Sequence, residues 1–274
     1  MRPEPGDLRA EPADLRPEPD SLRPEPVEGP ARSVVPLIGL AHGSRHAAGA
    51  DAIERLMDAL DGPHHPARHA FLDLAAPDLG TVAADLAAAG HRRAVIVPLL
   101  FTVALHATVD VPQAVHAAAQ SAGIELEVAD ILGTGDDVAA LLLSALADVD
   151  VRPEVSVLLY AVGSSNSAAN LAVVELAARL ERSRSHTGVP GGRPPGGRTP
   201  SGRVRAAFAT CAPRPAEVLE QLPEPVAILP LFLADGLLLD PARALAAGHG
   251  WTLVEPLGKR AAAVVLERYR SALR

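Results

Sequence analysis

Two histidines and one carboxylate carry the chemistry this sequence offers. His42 stands in Ala41-His42-Gly43-Ser44-Arg45-His46, His106 closes the run from Val97 through Leu105, and Asp73 ends Phe71-Leu72-Asp73. Each follows a short apolar stretch that reads as a buried strand, so all three are expected at one sheet edge. Two neutral imidazoles facing one cleft suit a borderline divalent metal such as Fe2+ or Co2+, and either accepts a proton near neutral pH. Gly43 permits a tight turn, Ser44 reads as the N-cap of the following helix, and the free amides there favour an anion. Each residue also has a structural reading: His42 as a hydrogen-bonded member of a Gly-Ser turn, Asp73 as the cap of a helix starting near Pro77.

The elements that would position these groups alternate regularly. Apolar runs predict strands near 34–41, 68–74, 94–101 and 125–129, with helices near 45–60, 78–90, 108–122 and 136–148. The pattern then repeats, with strands near 155–161, 204–209, 226–233 and 251–255 and helices near 166–182, 214–221, 239–248 and 259–272. Landmarks pair across the copies: Gly43-Ser44 with Gly163-Ser164, Ala70-Phe71 with Ala207-Phe208, Ala76-Pro77 with Ala212-Pro213, and Pro98-Leu99 with Pro230-Leu231. Strands that are apolar throughout and alternate with helices predict parallel sheets covered on both faces. The fold class is therefore α/β, two flavodoxin-like doubly wound halves spanning 31–152 and 153–274. In such folds ligands bind beyond the carboxyl ends of the strands, where His42, Asp73 and His106 fall.

Two segments stand outside the repeat. Residues 1–30 carry a seven-residue period of Arg, Glu and Pro whose prolines exclude a coiled coil, which predicts a disordered extension leaning to polyproline II. It holds eight acidic against four basic residues, half of the chain's net charge of −8. Residues 183–203, rich in Gly, Pro and Arg, read as a flexible insertion in the second copy. The single cysteine, Cys211, excludes an intrachain disulfide, a Cys-based zinc site and a Cys-ligated iron–sulfur cluster. An acidic chain with 3% aromatics is not expected to bind nucleic acid, and no apolar run is long enough for a bilayer. A cytoplasmic location is expected, because the amino terminus carries no apolar secretory region.

Three stretches together resemble the sirohydrochlorin cobalt and iron chelatases of the CbiX/SirB type, the class II chelatases. They are LAHGSR at 40–45, FLDLAAPDL at 71–79 and VPLLFTVALHATVDVP at 97–112, within a resemblance that runs over essentially all of 34–272. The resemblance implies insertion of a divalent metal into a tetrapyrrole, with siroheme or a cobalamin precursor as product. His42 and His106 match the family's metal-binding and catalytic histidines, and Asp73 adds a carboxylate. Metallation must remove both pyrrole N–H protons and deliver the metal, which suits histidines that hold a metal and take up protons. The substrate is a polycarboxylate, for which Gly43, Ser44, Arg45 and the nearby helix amides are the expected contacts. No prosthetic group is expected, since the divalent metal is itself a substrate.

The second copy aligns Val162 with His42, Thr210 with Asp73 and Leu238 with His106, none able to bind a metal. One active site is therefore expected, in the first half, with the second half as the other wall of the cleft. There Ser164, Ser165 and Asn166 either contact substrate carboxylates or simply cap a helix. A single chain holding both halves is expected to act as a monomer, a fused pseudo-dimer. Iron insertion into sirohydrochlorin is the preferred activity, cobalt insertion the alternative, and a non-catalytic tetrapyrrole or metal carrier a third reading. A nucleotide-dependent enzyme is disfavoured, because neither copy carries GxGxxG or a P-loop after its first strand. His46 could support His42, and His64, His65 and His69 form a His-rich loop open to either metal delivery or plain solvation.

Overall fold

Among the described residues, four strands and four helices alternate in each half. In the first, β1 (Leu37–Ala41), α1 (Ala47–Asp58), β2 (Ala67–Phe71), α2 (Leu79–Ala88), β3 (Arg93–Pro98), α3 (Val111–Ala122), β4 (Glu125–Val128) and α4 (Asp136–Asp148) follow in order. The second repeats the plan with β5 (Ser156–Ala161), α5 (Ser167–His186), β6 (Val204–Phe208), α6 (Pro215–Leu219), β7 (Val226–Pro230), α7 (Asp240–His249), β8 (Thr252–Leu253) and α8 (Ala262–Ala272), a 3-10 turn at Gly258–Ala261 leading into α8. The computed structural model describes residues 34–103, 110–186 and 202–274. The N-terminal repeat, His106 and residues 187–201 of the glycine-rich tract lie outside the described residues.

Both sheets are four-stranded and wholly parallel, ordered β2-β1-β3-β4 and β6-β5-β7-β8. The central strands explain this arrangement. Every residue of LIGLA in β1 and of SVLLYA in β5 is buried, so both faces of each sheet must be covered by helices. The outer faces close against α2 and α3 in one half, through Val82, Leu86 and Val115, and against α6 and α7 in the other, through Val218, Leu239 and Ala242. The inner faces share one core. Leu56 and Met57 of α1 and Leu142 of α4 pack with Leu176 and Leu180 of α5 and Val265 of α8, so Val34–Arg274 forms one compact unit.

Polar ties reinforce that shared core. Arg268 of α8 donates to the carbonyls of Ile131 (2.9 Å) and Leu132 (2.6 Å) and pairs with Asp137 at 2.6 Å. Tyr269 donates its hydroxyl proton to the Val35 carbonyl at 2.5 Å, and burial pushes its pKa up. The helix before the glycine-rich tract reaches His186, four residues further than its sequence suggests, and this shortens the insertion expected over 183–203. Arg184 is the cause: it is buried and donates to the carbonyls of Arg152 (2.7 Å) and Val155 (2.9 Å). At the tract's other end Gly202 donates to the Pro153 carbonyl at 2.8 Å, and a Cβ there would lie 2.1 Å from the Val155 carbonyl oxygen.

Candidate active site

The parallel ladder between β1 and β2 runs past the ends of both strands. Leu72 donates to the Ala41 carbonyl at 2.9 Å and Asp73 to the His42 carbonyl at 3.0 Å, so His42 and Asp73 lie side by side on the backbone. Gly43 makes this possible. Its φ is +100°, and a Cβ at that position would stand 1.8 Å from the Asp73 carbonyl oxygen. The Asp73 carboxylate accepts from its neighbour Leu74 N at 2.7 Å, which anchors one oxygen and leaves an exposed side chain at the cleft. His42 is half-buried, with Nδ1 shielded from solvent.

Two capping expectations need correction. Asp73 does not cap the following helix; Asp78 does, accepting from Thr81 N at 2.7 Å, and that bond holds its carboxyl below the usual range. Ser44 is not an N-cap either. Its Oγ accepts from His46 N at 3.1 Å within a tight turn, and His46 occupies the N-cap of α1 without a side-chain capping bond. Arg45 is exposed beside it.

The chain leaves β1 for β2 on one side of the sheet and enters β3 on the other, so the crevice between the loops after β1 and β3 is the topological switch point. His42 stands on the first of these loops. The second loop includes His106, outside the described residues. Among the described residues no group of three or more His, Cys, Asp or Glu gathers around one point. What the structure brings together among the described residues is therefore His42, on the loop after β1, with Asp73, on the loop after β2.

The second half reproduces this backbone without its chemistry. Ala209 donates to the Ala161 carbonyl at 2.9 Å and Thr210 to the Val162 carbonyl at 2.9 Å, matching Leu72 and Asp73 bond for bond. Gly163 has φ +87° at the position of Gly43. Ser164 Oγ accepts from Asn166 N at 3.0 Å, and Asn166 Oδ1 caps α5 by accepting from Ala168 N at 3.0 Å. Ser165 is exposed next to it.

The two sets of strand-end loops meet each other. Asn166 Nδ2 donates to the Val103 carbonyl, beyond β3, at 3.1 Å. The reciprocal approach is between α1 and the loop beyond β7, where a Cβ on Gly49 would lie 3.2 Å from the Asp235 carbonyl oxygen. His46 sits at this second crossing, exposed. Sequence reasoning missed both crossings; the one available signal was a glycine inside the α1 pattern, which costs helix stability unless another backbone needs the space. His64, His65 and His69 are placed elsewhere, in and before β2 near its amino end. His65 packs edge-on to Tyr269 with ring centroids 6.1 Å apart, and His69 lies 5.6 Å from the Phe71 ring. Cys211 is half-buried, 3.4 Å from Asn170 Nδ2.

Two doubly wound halves joined through their inner faces, with imidazole and carboxylate on one set of strand-end loops, define a chelatase-like α/β fold. Residues 36–149, within the first half, match the CbiX family model. Among solved structures, SirB from Bacillus subtilis with Fe3+ is similar at 22% identity, covering 86% of this chain and 94% of that one with a TM-score of 0.68. The sirohydrochlorin chelatase SirB from Bacillus subtilis subspecies spizizenii in complex with cobalt is similar at 20% identity, 86% and 94% coverage and a TM-score of 0.65. CbiX, described as the terminal enzyme for biosynthesis of siroheme in denitrifying bacteria, aligns at 21% identity over 87% of this chain and all of that chain, with a TM-score of 0.60. At these identities the likeness establishes the fold of the whole unit. No curated protein matches the chain. Among the described residues no helix is long and apolar enough to cross a membrane.

Proposed function

We propose that this protein is a metal chelatase, a lyase acting on a sirohydrochlorin-type tetrapyrrole, and that its reaction is insertion of Fe2+ to give siroheme. The observation that carries the proposal is the 3.0 Å bond between Asp73 N and the His42 carbonyl, in the half that matches CbiX. It makes the residues that bear an imidazole and a carboxylate backbone neighbours beside the switch point, the place where a doubly wound sheet holds its ligand, which supports this reading. His42 and His106 hold the incoming metal, and Asp73 shares its charge. As the metal enters the macrocycle both pyrrole protons must leave, and the imidazoles, freed of the metal, accept them. Gly43, Ser44 and Arg45 on one side, and Ser164 and Ser165 on the other, face the substrate carboxylates. The first half is the active one, the second the degenerate wall of the cleft, and the fused pair works as a monomer in the cytoplasm without a prosthetic group.

Cobalt insertion is the alternative, because two histidines and a carboxylate accept either ion and the similar structures are described with iron and with cobalt. A tetrapyrrole or metal carrier is the non-catalytic reading. An anaerobic absorbance assay with sirohydrochlorin and Fe2+ or Co2+ separates the three. His42→Ala and His106→Ala should each lower the rate by about a hundredfold or more. Unchanged rates in both variants overturn the site, and tetrapyrrole binding without metallation above the spontaneous rate favours the carrier.

A further inference from the structure

The position that follows the second strand's proline turn differs in charge between the halves. Phe71 donates to the Pro77 carbonyl at 2.9 Å and Phe208 to the Pro213 carbonyl at 3.0 Å, so the next residues, Asp78 and Arg214, are equivalent, and each is the N-cap of its helix. Asp78 spends its carboxylate on that cap. Arg214 makes no capping bond. Its guanidinium folds back onto the carbonyls of Ala209 and Thr210, the latter at 3.1 Å, which holds a cation at the end of β6 beside the position that Asp73 takes in the other half. Among the described residues no carboxylate forms an ion pair with it, and it is exposed.

An apolar surface lies next to this cation. Val162 is 40% exposed, Leu237 70% and Leu238 42%, all beyond the ends of β5 and β7, the switch point of the second sheet. Tyr160 links the two features: its hydroxyl donates to the Leu238 carbonyl at 3.0 Å. Its pKa is pushed up by burial and pulled back by the Arg214 charge, so the guanidinium lies within electrostatic reach of the same loop. On the first half the same level carries Leu74 and Val103, 41% and 49% exposed. Large exposed apolar side chains gathered at a strand-end cleft mark a ligand surface.

Resting on the chelatase reading, we propose that the second half is the macrocycle-binding half: Val162, Leu237 and Leu238 receive the apolar face of the tetrapyrrole, and Arg214 holds a rim carboxylate. The two halves thus divide the reaction. The first presents the metal to one face of the ring while the second fixes the ring by its other face and edge. A flat apolar ring with an anionic rim matches a surface of leucine and valine flanked by one guanidinium.

The test measures binding of metal-free sirohydrochlorin by fluorescence together with steady-state metallation, for wild type, Arg214→Gln, Arg214→Lys, Leu237→Asp and Arg68→Gln. Arg214→Gln should raise both Kd and KM about five- to tenfold with kcat nearly unchanged, the scale of one partly exposed charged contact. Arg214→Lys should recover part of that loss. Leu237→Asp, at the most exposed of the apolar positions, should weaken binding at least as much, through desolvation of a new charge and repulsion of the rim. Arg68→Gln, which removes an ion pair with Asp61 at the far end of the first sheet, should change neither constant. Wild-type Kd and KM in both Arg214→Gln and Leu237→Asp overturn this proposal alone. A wild-type protein that neither binds nor metallates sirohydrochlorin overturns the chelatase reading and this proposal with it.

Discussion

Alanine at Gly43 and alanine at Gly163 should separate the chemistry of the two halves, because the same backbone turn is filled differently in each. Both glycines hold positive φ, +100° and +87°, a conformation that costs an alanine about 1–3 kcal/mol. At Gly43 the added methyl would meet the Asp73 carbonyl oxygen at 1.8 Å. That atom is backbone, so the β1 and β2 ends must part by more than an ångström, and the 3.0 Å bond from Asp73 N to the His42 carbonyl is lost. Losing that bond adds about 1 kcal/mol. The expected total of about 2–4 kcal/mol lowers the melting temperature by about 5–15 °C for a unit of this size. Turnover should fall by about a hundredfold, the cost of misplacing reacting groups by about 1 Å. At Gly163 the methyl meets side-chain atoms, Cys211 Sγ at 2.7 Å, Phe208 Cβ at 2.9 Å and Thr210 Oγ1 at 3.1 Å, and no metal-binding group stands on that turn. Gly163→Ala should therefore lose comparable stability and keep most of its kcat. Thermal unfolding followed by circular dichroism and single-turnover metallation measure the two effects. A folded Gly43→Ala protein with wild-type kcat, or a Gly163→Ala protein equally impaired, refutes the reasoning.

Two further predictions concern the scaffold. Asp78→Ala should cost about 1 kcal/mol at neutral pH through loss of the α2 cap. Because the Thr81 amide depresses the Asp78 pKa, that stabilisation is present above the unfolded value and is lost as pH falls, so the gap to wild type should narrow below about pH 4. Melting temperatures measured across pH 3–7 check this, and a gap independent of pH contradicts it. Arg268→Ala should destabilise by about 2–4 kcal/mol, since it strips the Ile131 and Leu132 carbonyls of a largely buried donor and unpairs Asp137. Urea denaturation reads it, and a loss under about 0.5 kcal/mol would mean that water replaces the guanidinium without cost.

The order and kind of elements were legible because they are written in local pattern. The runs LIGLA, AVIVP and VLLYA are apolar throughout, and no helical period fits them, so the buried central strands stood out. Helix ends were harder, since several polar residues compete for one cap. Ser44 and His46 differ by a single turn of backbone, and Asp73 and Asp78 both precede α2, so only the hydrogen bonds decide between them. The reach of α5 to His186 was hidden because Arg184 reads as a solvated residue in a basic tract; its burial depends on the Arg152 and Val155 carbonyls, some thirty residues away in sequence. Contacts of that range carry no periodic signature. The same holds for Asn166 against Val103, which was legible only as a cap, and for Arg214, whose meaning emerges when its position is matched to Asp78.

The duplication supplies a control for the role of His42 and Asp73. Both halves keep the two carbonyl–amide bonds beyond the first strand, the glycine with positive φ, and the bond from Leu99 to the Leu40 carbonyl that recurs from Leu231 to Tyr160, both at 2.8 Å. Val162 and Thr210 hold that geometry as well as a histidine and an aspartate do, and Thr210 even returns its hydroxyl to the Val162 carbonyl at 2.8 Å. The turn therefore requires neither an imidazole nor a carboxylate. The half-buried histidine and the exposed carboxylate are therefore not accounted for by the fold of this turn, which supports the proposed role in metal binding. The same reasoning runs in reverse for Arg214: the equivalent Asp78 satisfies its helix through a cap, whereas Arg214 leaves its helix uncapped and presents its charge at the strand ends. Each half departs from what its fold needs at the strand ends, and on the proposed chelatase reading the first departure serves a metal and the second an anion.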